Sequence, residues 1–168
     1  MIYVDRVKPT FFLFTDASVD PKTNIGYGAY LLLAEYELEA PHLQERVKTR
    51  KFTKTTSSKL ELQTLLWALG EIRFQKRKVL VFTDCQNILT LQARKESMQE
   101  KNFRTKKGEL LNNYRLYKKF YTLTKRNDYD FIKVKGHKKI EQKDAVDKLF
   151  TLVDKASRSA LRAFLEVH

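Results

Sequence analysis

The spacing of apolar residues divides the chain into elements before composition is considered. Phe11-Phe12-Leu13-Phe14 is an unbroken, aromatic-rich apolar run entered through Pro9-Thr10. It predicts a strand over about residues 10–16, buried on both faces in the middle of a sheet and ending in Thr15-Asp16. Asp20-Pro21 and Asn24 are breakers, so residues 17–25 predict a turn. Gly26-Tyr27-Gly28-Ala29-Tyr30-Leu31-Leu32-Leu33 predicts a second strand, with its glycines where backbone packs closely. Residues 35–45 are polar, carry Pro41 and predict a loop. Residues 46–52 alternate weakly, as an exposed third strand would.

The hydroxyl-rich run 53–58 leads into a helix. Ser57 or Ser58 has the character of an N-cap, and Glu61 stands at capping-box spacing from Ser58. Leu62, Leu65, Leu66, Leu69 and Ile72 then recur at helical spacing as a core-facing stripe. Lys78-Val79-Leu80-Val81-Phe82-Thr83-Asp84 repeats the opening theme, a buried strand that ends in Thr-Asp. A helix is expected over 85–94, and Leu110, Tyr114, Tyr117 and Tyr121 fall on one helical stripe further on. Asp130-Phe131-Ile132-Lys133-Val134-Lys135 predicts the last strand, closed by Gly136-His137. Val146, Leu149, Phe150, Val153, Ala160, Leu161 and Phe164 predict a long final helix. Strands interleaved with helices place the chain in the α/β class.

Length and composition narrow this picture. A chain of 168 residues is expected to form one domain over 1–168, with its core over about 10–165. Hydrophobic residues make up 42% of it, which argues for a folded globular chain. Lys and Arg number 33 against 20 Asp and Glu, a net charge of +13, and an excess this large points to a polyanionic partner such as nucleic acid. The excess is concentrated in 94–126, where eleven cationic residues face three acidic ones, with Phe103, Tyr114, Tyr117, Phe120 and Tyr121 threaded among them. No apolar run reaches the ~18–20 residues of a membrane span, so no membrane partner is expected. The first residues lack the pattern of a signal peptide. The single cysteine, Cys85, has no internal disulfide partner, reads as a small strand-end residue and fits a reducing, cytoplasmic location.

Candidate chemistry lies in three carboxylates. Asp16 and Asp84 each end a buried strand, and Glu61 sits in the first turn of a helix beside its buried face. If the two strands are neighbours, their carboxylates converge at one edge and the helix can bring Glu61 alongside. Three uncompensated carboxylates that close repel one another and shift each other's pKa. A hard divalent cation relieves this, and oxygen-only ligands point to Mg²⁺ or Mn²⁺ and away from zinc. With a basic surface, the combination suits metal-assisted phosphodiester hydrolysis, in which two ions roughly 3.5–4 Å apart activate water and stabilise the leaving oxygen.

At this point the sequence resembles the ribonuclease H family, type 1. Thr15-Asp16-Ala17-Ser18 is similar to the family's first-strand TDGS. Thr56-Ser57-Ser58-Lys59-Leu60-Glu61-Leu62 is similar to its TNNRxEL. Val81-Phe82-Thr83-Asp84-Cys85-Gln86 resembles xxTDSQ, and Val134-Lys135-Gly136-His137 resembles VxGH. The four stretches come in the family's order, and the likeness runs from about residue 10 to 163. It implies a ribonuclease H-like fold, a five-stranded mixed sheet flanked by helices. The implied activity is endonucleolytic cleavage of the RNA strand of RNA–DNA hybrids, leaving 5′-phosphate and 3′-hydroxyl ends.

The resemblance also implies roles. Asp16, Glu61 and Asp84 would be metal ligands, and His137 a mobile proton carrier or product-release aid. Thr56 and Ser58 would hold a phosphate of the DNA strand. The basic segment 101–119, with Lys106, Lys107, Lys118 and Lys119, would grip the hybrid where some members carry a basic protrusion. Ser57 and Ser58 depart from the family by replacing two asparagines. The fourth carboxylate is Asp144, Asp147 or Asp154. Val153-Asp154-Lys155-Ala156-Ser157-Arg158-Ser159-Ala160 fits the family's ADxxARxA best, whereas Asp147 fits its shorter loop after the histidine. Asp147 and Asp154 share a helical face about 10 Å apart, so only one can reach the centre. Asp154 is favoured, which leaves Asp147 as a solvated helix residue. Two other readings stay open at this level: a nuclease of the same fold acting on other RNA, and a non-catalytic nucleic-acid-binding module.

Overall fold

The computed structural model describes residues 8–134 and 144–168. Five strands form one mixed sheet in the order β3-β2-β1-β4-β5. They are β1 (Phe11–Asp20), β2 (Ile25–Ala34), β3 (Lys48–Phe52), β4 (Lys78–Thr83) and β5 (Asp128–Lys133). β1, β2 and β3 pair antiparallel, and β4 and β5 add in parallel on the other side of β1. The parallel pairs require crossovers, and α1 (Ser57–Glu71) and the short helices α2 (Gln86–Thr90), α3 (Lys95–Glu100) and α4 (Tyr114–Leu123) supply them. The long α5 (Ala145–Val167) closes the chain.

Strand alternation sends successive residues of β1 to two separate cores. Leu13, Val79 and Val81 join Leu62, Leu65, Leu69 and Phe120 under α1 and α4. Phe14, Leu31, Leu33 and Phe82 join Leu149, Phe150 and Val153 under α5. Phe14 stacks on Phe82 with ring centroids 5.0 Å apart. The central strands are therefore apolar on both faces, as their unbroken apolar runs require. Among the described residues, no helix is long and apolar enough to cross a membrane.

Several boundaries differ from the sequence reading. β1 does not stop at Asp16 but runs to Asp20, because Ala17 to Asp20 remain paired with β2 from Gly28 back to Ile25. The turn shrinks to residues 21–24, with Asn24 N–H donating to the Asp20 carbonyl and Thr23 Oγ1 to Asp20 Oδ2 at 2.7 Å. Small polar residues there had the composition of a loop, but hairpin pairing decided the outcome. The helix expected over 85–94 is shorter: α2 covers Gln86–Thr90, and residues 91–94 form a turn that leads into α3. Leu110 does not share the tyrosine stripe: it lies before α4, is exposed, and bridges Arg104 across a small loop.

The two glycines of β2 face α1. A Cβ on Gly26 would overlap the Leu60 side chain, and one on Gly28 would overlap Thr64. Their bare backbone lets α1 settle unusually close to the sheet at the turn that carries Glu61. Thr64 Oγ1 donates to the Leu60 carbonyl at 2.8 Å, so that hydroxyl needs no other partner.

Candidate metal centre

Asp16 stands where β1 outruns β4. Their pairing ends at Phe14 and Phe82, and carrying that register two residues on sets Asp16 level with Asp84. Asp84 follows the last residue of β4, and the chain leaving that strand is well held. Thr83 Oγ1 accepts from Cys85 N–H at 3.1 Å, and the Thr83 carbonyl accepts from Val134 N–H at 3.0 Å. Glu61 arrives on α1 through the close glycine contact. One carboxylate oxygen each from Asp16, Glu61 and Asp84 then lies within 4.8 Å of the others.

The electrostatics of this cluster are uncompensated. Asp16 is 6% exposed. Its pKa is pushed from 3.8 up to about 8, first by burial, then by the Asp84 charge and a hydrogen bond with Asp154. Glu61 is pushed from 4.5 up to about 9 by burial and by the charges of Asp16 and Asp84. The nearby Ala17 N–H lowers both and offsets only part of this. Glu61 Oε2 is buried with no hydrogen-bond partner among the described residues. An orphaned carboxylate oxygen facing two more carboxylates is a poor arrangement for a protein alone. It is the donor set that a hard divalent cation requires, and Asp84, being exposed, leaves the centre open to solvent.

The structure brings Asp154 to the same place from the opposite face of the sheet. Its side chain hydrogen-bonds to Asp16, and its Oδ1 accepts from Arg158 Nε at 2.9 Å. Asp147 lies two turns nearer the start of α5, and it is not solvated as expected: it is 7% exposed. It forms a capping box with Asp144. Asp147 N–H donates to Asp144 Oδ1 at 2.9 Å, and Asp144 N–H donates to Asp147 Oδ2 at 3.2 Å. Asp144 and Asp147 thus begin the helix, and Asp154 is the candidate that meets Asp16. His137 lies outside the described residues.

The start of α1 also differs in detail. Its N-cap is Thr56, not Ser57 or Ser58, and no side chain caps it. The Thr56 carbonyl accepts from Leu60 N–H at 2.8 Å. Glu61 makes no capping box because its carboxylate goes to the acidic cluster instead. Thr56 and Ser58 remain exposed beside free N–H groups at the helix N-terminus, an arrangement suited to an anion.

The four candidate lysines separate into two pairs. Lys106 and Lys107 stand on a small loop closed by the Arg104–Leu110 bridge and by Thr105 N–H donating to the Glu109 carbonyl at 2.7 Å. Lys118 and Lys119 lie on α4. Lys118 Nζ sits over the rings of Phe103 and Tyr114 at 5.4 and 5.6 Å. Lys119 lines a cavity of about 200 Å³ with Arg50, Phe52, Gln63 and Trp67. A second cavity shares Gln63 and Leu116 and adds Lys59, Tyr114 and Arg115. Together they form a basic, aromatic channel between α1 and α4. Sequence reasoning missed Arg50, Trp67 and Arg115 in it. The signal available was the i, i+2 pair Arg50 and Phe52, which an exposed strand places on one face.

The structure is thus an α/β protein with a mixed five-stranded sheet, a carboxylate cluster that could hold a metal ion at the ends of β1 and β4, and basic, aromatic clefts beside α1 and α4. The chain belongs to the RNase H family, whose model matches residues 8–154. A search of curated proteins finds no significant match. Among solved structures, one similar fold is LC9-RNase H1, a type 1 RNase H with the type 2 active-site motif. It shares 15% identity and a TM-score of 0.67 over 90% of this chain and 72% of that one. The foamy viral protease-reverse transcriptase is similar in two complexes. With dsDNA the figures are 16% identity and a TM-score of 0.60, over 95% of this chain and 99% of that one. With RNA/DNA hybrid they are 13% and 0.59, over 90% of this chain and 20% of that one.

Proposed function

We propose that the protein is a divalent-metal-dependent endoribonuclease that hydrolyses the RNA strand of RNA–DNA hybrids, leaving 5′-phosphate and 3′-hydroxyl ends. The observation that carries this is the buried, unpartnered Glu61 oxygen in a carboxylate cluster where burial and neighbouring charge drive the pKa values of Glu61 and Asp16 up to about 9 and about 8. Asp16, Glu61, Asp84 and Asp154 would hold Mg²⁺ or Mn²⁺, which supply activation of a water nucleophile and neutralise charge on the leaving oxygen. Burial of Asp16 and Glu61 keeps competing water from those carboxylates and fixes their orientation. The channel with Arg50, Lys59, Arg115 and Lys119 would hold one strand of the hybrid through its phosphates, its aromatic walls lying against sugars. Thr56 and Ser58 would bind a phosphate of the DNA strand at the start of α1. His137 takes the role of proton carrier from the family pattern alone. The structure of the foamy viral neighbour with RNA/DNA hybrid supports this substrate class.

The test is cleavage of labelled hybrid, duplex RNA, duplex DNA and single strands in Mg²⁺, with Asp16→Asn, Glu61→Gln and Asp84→Asn alongside. Hybrid should be cut in its RNA strand, and each variant should lose nearly all activity. Cleavage by Asp84→Asn at the wild-type rate would refute the site, and equal cleavage of single-stranded RNA would refute the substrate.

A further inference from the structure

The α5 face of the sheet carries a groove that the carboxylate centre does not occupy. Ser18, Arg158, Leu161, Arg162, Leu165 and Glu166 line a cavity of about 410 Å³ between the β1–β2 hairpin and the second half of α5. It begins beside the centre. Ser18 follows Asp16 by two residues of β1, so it faces the same side of the sheet roughly 7 Å away. Arg158 and Arg162 follow Asp154 by one and two helical turns, roughly 6 and 12 Å along the axis. The groove wall is firmly built. Leu161 is buried, and Phe164 packs against Tyr27, the pairing partner of Ser18, with Lys51 Nζ 4.1 Å from the Phe164 ring centroid.

Both guanidinium groups are loosely committed. Arg158 donates to Asp154, yet its side chain is 59% exposed, and an exposed i, i+4 pair contributes little. Arg162 has no ion-pair partner among the described residues. Glu166, the one acid in the lining, lies three turns from Asp154 at the far end. Two arginines in a groove leading away from a cation site, each with a planar guanidinium fork, match the paired non-bridging oxygens of a phosphate better than any neutral ligand.

Resting on the nuclease reading above, we infer that this groove is a subsite for a backbone phosphate of the cleaved strand, one or two nucleotides from the scissile bond. Arg158 exchanges Asp154 for that phosphate when substrate binds. In the empty protein Arg158 neutralises Asp154 and competes with a cation for it. With the phosphate seated, Asp154 keeps its place beside Asp16 and its Oδ1 is freed for the centre. Substrate and cation then favour each other's binding, and the coupling is reciprocal.

Two variants test this with opposite signs. Arg158→Ala removes the competitor for Asp154. Titration calorimetry with Mn²⁺ and no nucleic acid should show several-fold tighter binding. The same variant should bind hybrid several-fold more weakly in EDTA by fluorescence anisotropy, with the log–log salt slope reduced by about 0.7–0.9. Arg162→Ala should weaken hybrid binding similarly without tightening Mn²⁺. Single methylphosphonates placed along the RNA strand should weaken wild-type binding at one position near the cut and leave Arg162→Ala unaffected there. Wild-type hybrid affinity and slope in both arginine variants would overturn the subsite. Unchanged or weaker Mn²⁺ binding by Arg158→Ala would overturn the exchange. A protein that loses hybrid binding in these variants but cuts no hybrid in Mg²⁺ would refute the nuclease reading and leave the groove standing as a phosphate site.

Discussion

Glu61→Gln tests whether the carboxylate cluster is held against its own repulsion. Glu61 titrates at 4.5 when unfolded and at about 9 when folded, and Asp16 at 3.8 and about 8. Both folded values are raised, so the folded state holds protons that the unfolded state has lost. The stability these groups contribute is complete below about pH 4 and disappears as pH rises through 8–9. Between about pH 5.5 and pH 7 the folded protein binds close to two more protons than the unfolded chain at these positions. Each such proton lowers unfolding free energy by about 1.4 kcal/mol per pH unit, so the pair contributes about 2.7.

Glu61→Gln removes one titrating group and relieves Asp16 of part of its burden. In EDTA, the variant's stability should fall more gently with pH than the wild type's, the difference in slope being at least about 1.4 kcal/mol per unit. The two should cross so that the variant is the more stable at pH 8. Urea unfolding followed by Trp67 fluorescence at pH 5, 6, 7 and 8 measures this, since Trp67 is the single tryptophan. Subtracting one protein from the other cancels titrations common to both. Mg²⁺ should flatten the wild-type curve by holding the carboxylates ionised. Parallel wild-type and variant curves in EDTA would show that the cluster is not strained and remove the main argument for a cation.

Further outcomes follow from the same geometry. Gly28→Ala should destabilise by ~1–3 kcal/mol, because the new Cβ overlaps Thr64, and should reduce cleavage more than melting suggests because Glu61 shifts with α1. Asp154→Asn should depress cleavage strongly, with partial recovery in Mn²⁺, whereas Asp147→Asn should retain it and lose ~1 kcal/mol of stability by weakening the bond that its carboxylate accepts from Asp144 N–H. Rates and urea melts of the two variants side by side decide between them. Neutralising Lys106, Lys107, Lys118 and Lys119 should weaken hybrid binding and lower the salt slope by up to about 0.9 for each phosphate no longer neutralised. An unchanged slope would mean that these residues are only solvated.

Most of the framework was legible because apolar spacing reports burial. The runs at Phe11 and Val79 read as doubly buried strands and are two of the three interior ones, and the leucine stripe of α1 is buried. The carboxylates were legible because each interrupts an apolar element where a charge has no local use. What escaped was whatever depended on pairing across the sheet. Ala17 to Asp20 have turn composition, and only their partners in β2 make them a strand. The cap of α1 escaped for the opposite reason. The Ser58–Glu61 spacing is a genuine capping signal, but a carboxylate can serve only one site, and the acidic cluster claimed it. Asp147 shows the same ambiguity reversed: its spacing allowed a surface role, and its pairing with Asp144 buries it at the helix start.

The position of the centre follows from a mismatch in strand length. β1 has ten residues and β4 six, and β4 pairs with β1 only from Phe11 to Phe14. Where both strands are present, the sheet separates α1 from α5, and no side chain from one helix can meet one from the other. Past Phe14, the edge of β1 toward β4 has no partner strand. Asp16 stands in that gap, and Glu61 from one face and Asp154 from the other both reach it. Were β4 two residues longer, its backbone would fill the gap and divide the two helices. Asp84 sits where that strand gives way to α2, supplying a carboxylate at the point where further pairing would have closed the site. The same ending lets the β1–β2 hairpin extend past β4 while β2 stays paired with β3, so Ser18 and the arginines of α5 line a groove that continues outward from the carboxylates. One short strand thus opens the site to both helices and leaves an adjacent surface on which a phosphate backbone can continue.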